Sequence, residues 1–261
     1  MKALTITAAF LSVGILTTQA VQAADVLTLP GLSTTGNISL STDYRFRGVS
    51  RTSNNPAIQG AINFNHESGA YASLWGSNVS EPSSAELDAV LGYATRLSLL
   101  RNVESRLDVG YIRYIFAGSG NSAVDSNQPD FNELFARLGF AQALVTNDTL
   151  GLGVNYSSSY YQHSDDFWYL SASYAVPLAE TGFGLVASLG YNQFKNARML
   201  NRALNATGND DHYTDYKLGT TFGVQGLNAE LAWVGNTLST SRCADAQTCK
   251  NSLQLSVSKA F

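Results

Sequence analysis

The sequence predicts an all-β protein, a transmembrane antiparallel up-and-down β-barrel of about twelve strands with short periplasmic turns and longer extracellular loops. Three observations predict it. Stretches of period-two alternation recur between clusters of turn residues from residue 37 to the C-terminus. Charged residues make up only 14% of the chain, against about 25% in ordinary soluble domains. The connections fall into two classes that alternate, tight turns and long polar loops, as the two rims of an outer-membrane barrel require.

The first stretch, 37–47, places Ile38, Leu40, Thr42, Tyr44 and Phe46 on one face and Ser39, Ser41, Asp43, Arg45 and Arg47 on the other. A second, 58–65, leads through the turn His66, Glu67, Ser68, Gly69 into 71–79. The stretch 86–94 puts Leu87, Ala89, Leu91 and Tyr93 on one side. Then come 106–116, 133–140, 150–156, and 168–176 closed by Pro177. After 183–191 and 215–224, the turn Gln225–Gly226 leads into 227–234, and 253–261 ends the chain. Alternation is poor in 71–79 and 106–116, which leaves their facing open. Short turns are expected at Gly69, 177–182 and 225–226, and long loops at 117–129, 195–211 and 236–250.

The N-terminus reads differently. Lys2, an uncharged apolar run over 3–16 and the small-residue site Val21, Gln22, Ala23 form the pattern of a secretory signal peptide, with cleavage expected after Ala23. The expected division is 1–23 signal peptide, 24–36 periplasmic N-terminal segment and 37–261 barrel. The net charge of −4 and the lack of a basic patch argue against a nucleic-acid partner.

A soluble barrel would cover its polar face with charge. Here the polar faces carry small neutral residues such as Gln254, Ser256 and Ser258, or Gly151, Gly153 and Asn155, which suit a lumen. The aromatic residues also sort by height. Tyr44, Phe46, Tyr156, Trp168, Tyr191, Tyr216 and Trp233 fall at one level, and Phe64, Tyr93, Phe140, Tyr174, Phe183, Phe222 and Phe261 at the other. Terminal Phe261, with Val257, Leu255 and Leu253 at alternate positions, reads as a barrel-assembly signal that departs from the usual pattern at Lys259. The partners this implies are outer-membrane lipid, the barrel-assembly machinery and small hydrophilic solutes.

A run from Ser41 through Asp43, Tyr44, Arg45, Phe46, Arg47, Gly48 and Val49 to Thr52 resembles the opening signature of the TorF family of candidate porins, bacterial outer-membrane β-barrel proteins. Pro56 to Gly60, His66 to Gly69, Trp75 to Val79, Tyr213 to Gly219 and Ser256 to Phe261 continue the likeness in order. The resemblance implies an outer-membrane channel and supplies no catalytic or binding residues.

Twelve charged residues face inward by this reading: Asp43, Arg45, Arg47, Glu86, Asp88, Arg106, Asp108, Glu133, Arg137, Asp215, Lys217 and Glu230. They are expected to line a channel with a mixed-charge constriction, or alternatively to knit a salt-bridged plug. Arg45 and Arg47 are expected to form a basic wall opposite the acids Glu86 and Asp88. Cys243 and Cys249, six apart in a polar loop of an exported chain, are expected to form a disulfide; two Cys without a nearby His are too few ligands for a metal. No cofactor motif is found, and no catalytic role is expected. The alternative is a protease- or lipase-like barrel enzyme, for which only His163 with Asp165 and Asp166, and His212 with Asp210 and Asp211, offer suitable groups.

Overall fold

The computed structural model describes residues 30–80, 83–100, 103–117, 129–179, 181–243 and 245–261. In chain order the strands begin with β1 (Leu32–Ser41), the two-residue strands β2 (Arg45–Phe46) and β3 (Val49–Ser50), β4 (Ala57–His66) and β5 (Ala70–Asn78). They continue with β6 (Ala85–Leu100), β7 (Val103–Ala117), β8 (Phe131–Ala141), β9 (Thr149–Ser157) and β10 (Phe167–Pro177). The last four are β11 (Phe183–Phe194), β12 (His212–Val224), β13 (Leu227–Asn236) and β14 (Ser252–Ala260). All but β2 and β3 close into one antiparallel barrel in which each strand pairs with the next and β14 returns to β1. Two short helices, α1 (Ala197–Leu204) and α2 (Ala246–Cys249), lie in loops.

Closure satisfies the backbone groups that an open sheet would leave at its edges. The seam runs from Asn37↔Ala260 to Ser41↔Ser256. Gly36 and Phe261 extend it by exchanging backbone hydrogen bonds of 2.8 and 2.9 Å. The twelve alternating stretches correspond one to one with the barrel strands. β1 begins at Leu32, however, so 32–36 belongs to the wall; the expected signal peptide and residues 24–29 lie outside the described residues. None of the described helices is long and apolar enough to cross a membrane.

The pleat puts the apolar face outside. On β14, Leu253, Leu255 and Val257 are exposed while Ser252, Gln254, Ser256 and Ser258 between them are half covered. Ile38, Leu40, Leu74, Leu91, Leu134, Leu189 and Leu218 carry the exposed apolar band around the barrel. The two poorly alternating stretches are now oriented: Tyr71, Ser73, Trp75 and Ser77 of β5 and Asp108, Ile112, Tyr114 and Phe116 of β7 are the more covered positions, on the lumen side. Trp168, Tyr191 and Trp233 stand exposed toward the long-loop rim, with Tyr93, Phe183, Phe222 and Phe261 toward the other. Tyr44 and Phe46 depart from that belt, as described below.

On the short-turn rim, the connection 142–148 is organised by one carboxylate. Asp148 accepts hydrogen bonds from the backbone N–H groups of Ala143 (2.6 Å), Leu144 (2.9 Å) and Val145 (2.9 Å) and from the Tyr174 hydroxyl (2.9 Å). Burial pushes the carboxyl up, but the N–H groups and the hydroxyl outweigh it and hold the group below its ordinary value. A depressed acid contributes stability above its unfolded value of about 4 and loses it as pH falls. The protection factors of the amides at residues 143–145, exchange rates taken relative to those of an unstructured chain at the same pH, should therefore be constant from pH 8 to 5 and fall in acid; Asp148→Ala should abolish the protection throughout.

The outward band generates a second expectation. Leu255→Arg should destabilise the barrel in lipid vesicles by about 2–4 kcal/mol. Ser256→Arg, one residue away but inside, should cost less than about 1 kcal/mol. Urea unfolding midpoints in vesicles of fixed composition measure both.

Candidate functional site: a hairpin across the lumen

The wall strand β1 ends at Ser41 because Asp43 draws the chain inward. Its carboxylate accepts from Ser50 Oγ (2.6 Å), Thr52 Oγ1 (2.8 Å) and Arg45 Nε (2.7 Å), local bonds that replace a continued ladder. Residues 42–56 fold into the lumen toward the long-loop rim, with β2 and β3 paired through Arg45↔Ser50 and Phe46↔Val49. Gly48 at the tip has φ +77°. A Cβ there would meet the Gly235 carbonyl oxygen at 2.5 Å and the Asp215 Cβ at 2.8 Å, so only glycine brings the backbone this close to the wall.

The hairpin touches the wall on several sides. Tyr44 packs edge-on against Trp75 of β5 (5.3 Å) and donates to Glu86 of β6 (3.1 Å). Phe46 meets Tyr114 of β7 edge-on at 5.7 Å. Arg47 grips Glu133 of β8 through two parallel hydrogen bonds of 2.8 Å. On the opposite side Asn236 of β13 donates to the Gly48 carbonyl (2.8 Å), and Gln254 of β14 donates to the Asp43 carbonyl.

Aromatic residues fill the space between. Tyr114 stacks on Phe131 at 4.1 Å, Tyr160 on Phe167 at 3.9 Å, and Phe194 meets Phe167 at 4.8 Å. Phe167 has no exposed surface, and Tyr114, Phe131 and Glu133 have 1% each. Two arginines lie among these rings. The Arg47 guanidinium sits over Tyr169 (4.3 Å), Phe46 (4.7 Å), Phe167 (4.9 Å) and Tyr160 (5.6 Å); that of Arg51 sits over Tyr161 at 4.4 Å. Side chains therefore fill the lumen at this level and leave little accessible surface.

Below it the interior is polar and wetter. Arg106, Arg137, Lys217 and Glu230 are partly exposed, and a Cβ on Gly139 would meet nothing within 4 Å. Lys217 donates to Glu230 (2.8 Å), and Tyr71 donates to Asp108 (2.8 Å).

Of the twelve charged residues read as inward, Glu86, Asp88, Arg106, Asp108, Glu133, Arg137, Asp215, Lys217 and Glu230 occupy lumen-side positions on wall strands. Asp43, Arg45 and Arg47 do not: they lie on the inserted hairpin. This corrects the expected basic wall facing an acidic one. The bases sit in the lumen against carboxylates, Arg45 on Asp43 and Arg47 on Glu133. Arg51, Tyr160, Phe167 and Tyr169 complete the layer and escaped the sequence reading, whereas Asn155, read there as a lumen residue, donates to Glu133 (2.8 Å).

Both His–acid clusters lie on the long-loop rim. Asp165 accepts from Lys195 (2.8 Å), which holds its carboxyl below the ordinary value, and Asp210 pairs with Arg242. Asp211 lies 2.9 Å from His212, with no hydroxyl or thiol bonded to that ring among the described residues. Cys243 and Cys249 are joined in a disulfide. Its loop reaches the hairpin, since Asn54 donates to the Gln247 carbonyl (2.9 Å) and Asn236 to the Cys249 carbonyl (3.2 Å). The native protein should show no titratable thiol without reductant. Reduction should loosen 237–251 by about 2 kcal/mol of lost loop constraint, seen as faster amide exchange there and at residues 53–55.

The family profile described as "Bacterial protein of unknown function (Gcw_chp)" matches residues 28–261. The fold is similar to that of the KdgM porin (TM-score 0.54, 8% identity, covering 87% of this chain and 99% of that one). It is likewise similar to the NanC porin (0.52, 8%, 87% and 98%) and to the KdgM porin in complex with disordered oligogalacturonate (0.52, 7%, 88% and 99%). At these identities the likeness is one of fold. A search of curated proteins gives no match.

Proposed function

The chain belongs to the Gcw_chp family of bacterial proteins, and we propose that it is an outer-membrane, porin-like channel for passive diffusion of small hydrophilic solutes, closed in this conformation by the hairpin 42–56. The observation that carries this reading is the inside-out barrel. An exposed apolar band rings a closed sheet whose interior below the hairpin holds Arg106, Arg137, Lys217 and Glu230 in contact with water. In a bilayer the band faces lipid, and the polar interior provides a hydrated path. The resemblance to the TorF family fits the same reading, as does Phe261 as the signal to the barrel-assembly machinery of an exported chain. Transport rather than catalysis is proposed, because Asp165 and Asp210 are engaged by Lys195 and Arg242.

The dry aromatic layer favours a second reading, a permanently plugged barrel without transport. The two differ in what happens when the hairpin is released. Removing one partner of a buried ion pair costs about 3–5 kcal/mol, so Glu133→Gln should unseat Arg47. In planar bilayers and in liposome swelling with small sugars, Glu133→Gln should conduct at least severalfold more than the unaltered protein. If both swell only as empty liposomes do, the plugged barrel is correct.

A further inference from the structure

The surroundings of Arg47 have the form of a ligand site with a tethered occupant. The wall and its adjoining loop supply Glu133 as a two-oxygen acceptor, Asn155 to orient that carboxylate, and Tyr160, Phe167 and Tyr169 around the guanidinium. A carboxylate beside several aromatic faces is the chemistry that binds guanidinium and other compact organic cations. Phe46 adds a fourth face, but it travels with the hairpin. Arg47 itself adopts φ +51°, a region that non-glycine residues rarely occupy, so the seat's contacts offset a backbone penalty.

The charge distribution points the same way. At this level the wall contributes Glu86, Asp88, Glu133 and Asp215, whereas Arg45, Arg47 and Arg51 arrive with the hairpin. Among the described residues, neither carboxylate oxygen of Asp88 has a hydrogen-bond partner, nor has Oε2 of Glu86, although both side chains are buried. Without the hairpin this stretch of lumen is acidic.

We propose that Glu133, Asn155, Tyr160, Phe167 and Tyr169 form a binding site for compact organic cations, guanidinium groups above all, which Arg47 occupies as a built-in ligand while the channel is closed. Its physiological meaning rests on the channel reading: a solute bearing such a group competes with Arg47 for the seat and favours the open state. Its geometry does not depend on conduction. A lysine or a potassium ion cannot reproduce the planar two-point contact with Glu133.

The test is chemical rescue. Arg47→Ala, folded in detergent, should bind ethylguanidinium by calorimetry, at millimolar concentrations and constant ionic strength, at least about tenfold more tightly than Arg47→Ala/Glu133→Gln, about 1.4 kcal/mol. Potassium should give no signal, and the unaltered protein should bind ethylguanidinium weakly because its seat is filled. Equal binding by the single and double variants would overturn the proposal. If Arg47→Ala does not fold alone, its refolding yield with and without millimolar ethylguanidinium serves instead: rescue supports the site, and equal failure overturns it. Planar-bilayer recording of Arg47→Ala separates the two readings. Binding without conduction leaves the site standing and removes the channel, whereas conduction without binding does the reverse.

Discussion

The bidentate contact between Arg47 and Glu133 decides what the barrel is. A guanidinium and a carboxylate withdrawn from water, at 5% and 0% side-chain exposure, persist only if each satisfies the other and further donors complete the carboxylate. Here Asn155 and Tyr114 do so, at 2.8 and 3.2 Å from Glu133 Oε2. That requirement fixes where the tip of 42–56 lies, and the tip divides the interior into a dry aromatic level and a wet polar one.

The remaining hairpin contacts follow from this anchor. Once Arg47 is seated, Gly48 is pressed against Gly235 and Asn236, and Tyr44 reaches Trp75 and Glu86. Asp43 supports the bend from behind through Arg45, Ser50 and Thr52. The loop with the disulfide and α2 braces the rim side through the Gln247 carbonyl. A single ionic contact thus sets the position of a segment whose local bonds make it rigid enough to move as a unit.

Much of the barrel was legible because its outward face obeys one rule: residues in lipid must be apolar at every second position. β14, with Leu253, Leu255 and Val257 out and Gln254, Ser256 and Ser258 in, shows the rule at its cleanest. The hairpin was not legible because Asp43, Arg45 and Arg47 keep the same period as a strand. Only tertiary partners distinguish a wall residue from one that has left the wall. Two signals were nonetheless present. Gly48 directly follows the supposed strand 37–47, where a glycine marks a turn rather than a continued wall. The inner face of β7 also changes from Arg106 and Asp108 to Ile112, Tyr114 and Phe116. Large apolar side chains in a lumen-facing row need cover from water, so something had to fill the lumen at that level.

The seating of the hairpin also fixes an order of events during assembly. Gln254 is 211 positions beyond Asp43, and Asn236 is 188 beyond Gly48. These contacts can form only after the last strands are in place, and such distant pairings are slow to form because the intervening chain must first be organised. The contacts to β5, β6, β7 and β8 need only the first half of the wall, but the hairpin is held on its other side only once β13 and β14 have joined. A chain lacking its final two strands would leave one flank of the hairpin without partners and one edge of the sheet unpaired. The completed wall, rather than the ionic anchor alone, holds the segment on every side.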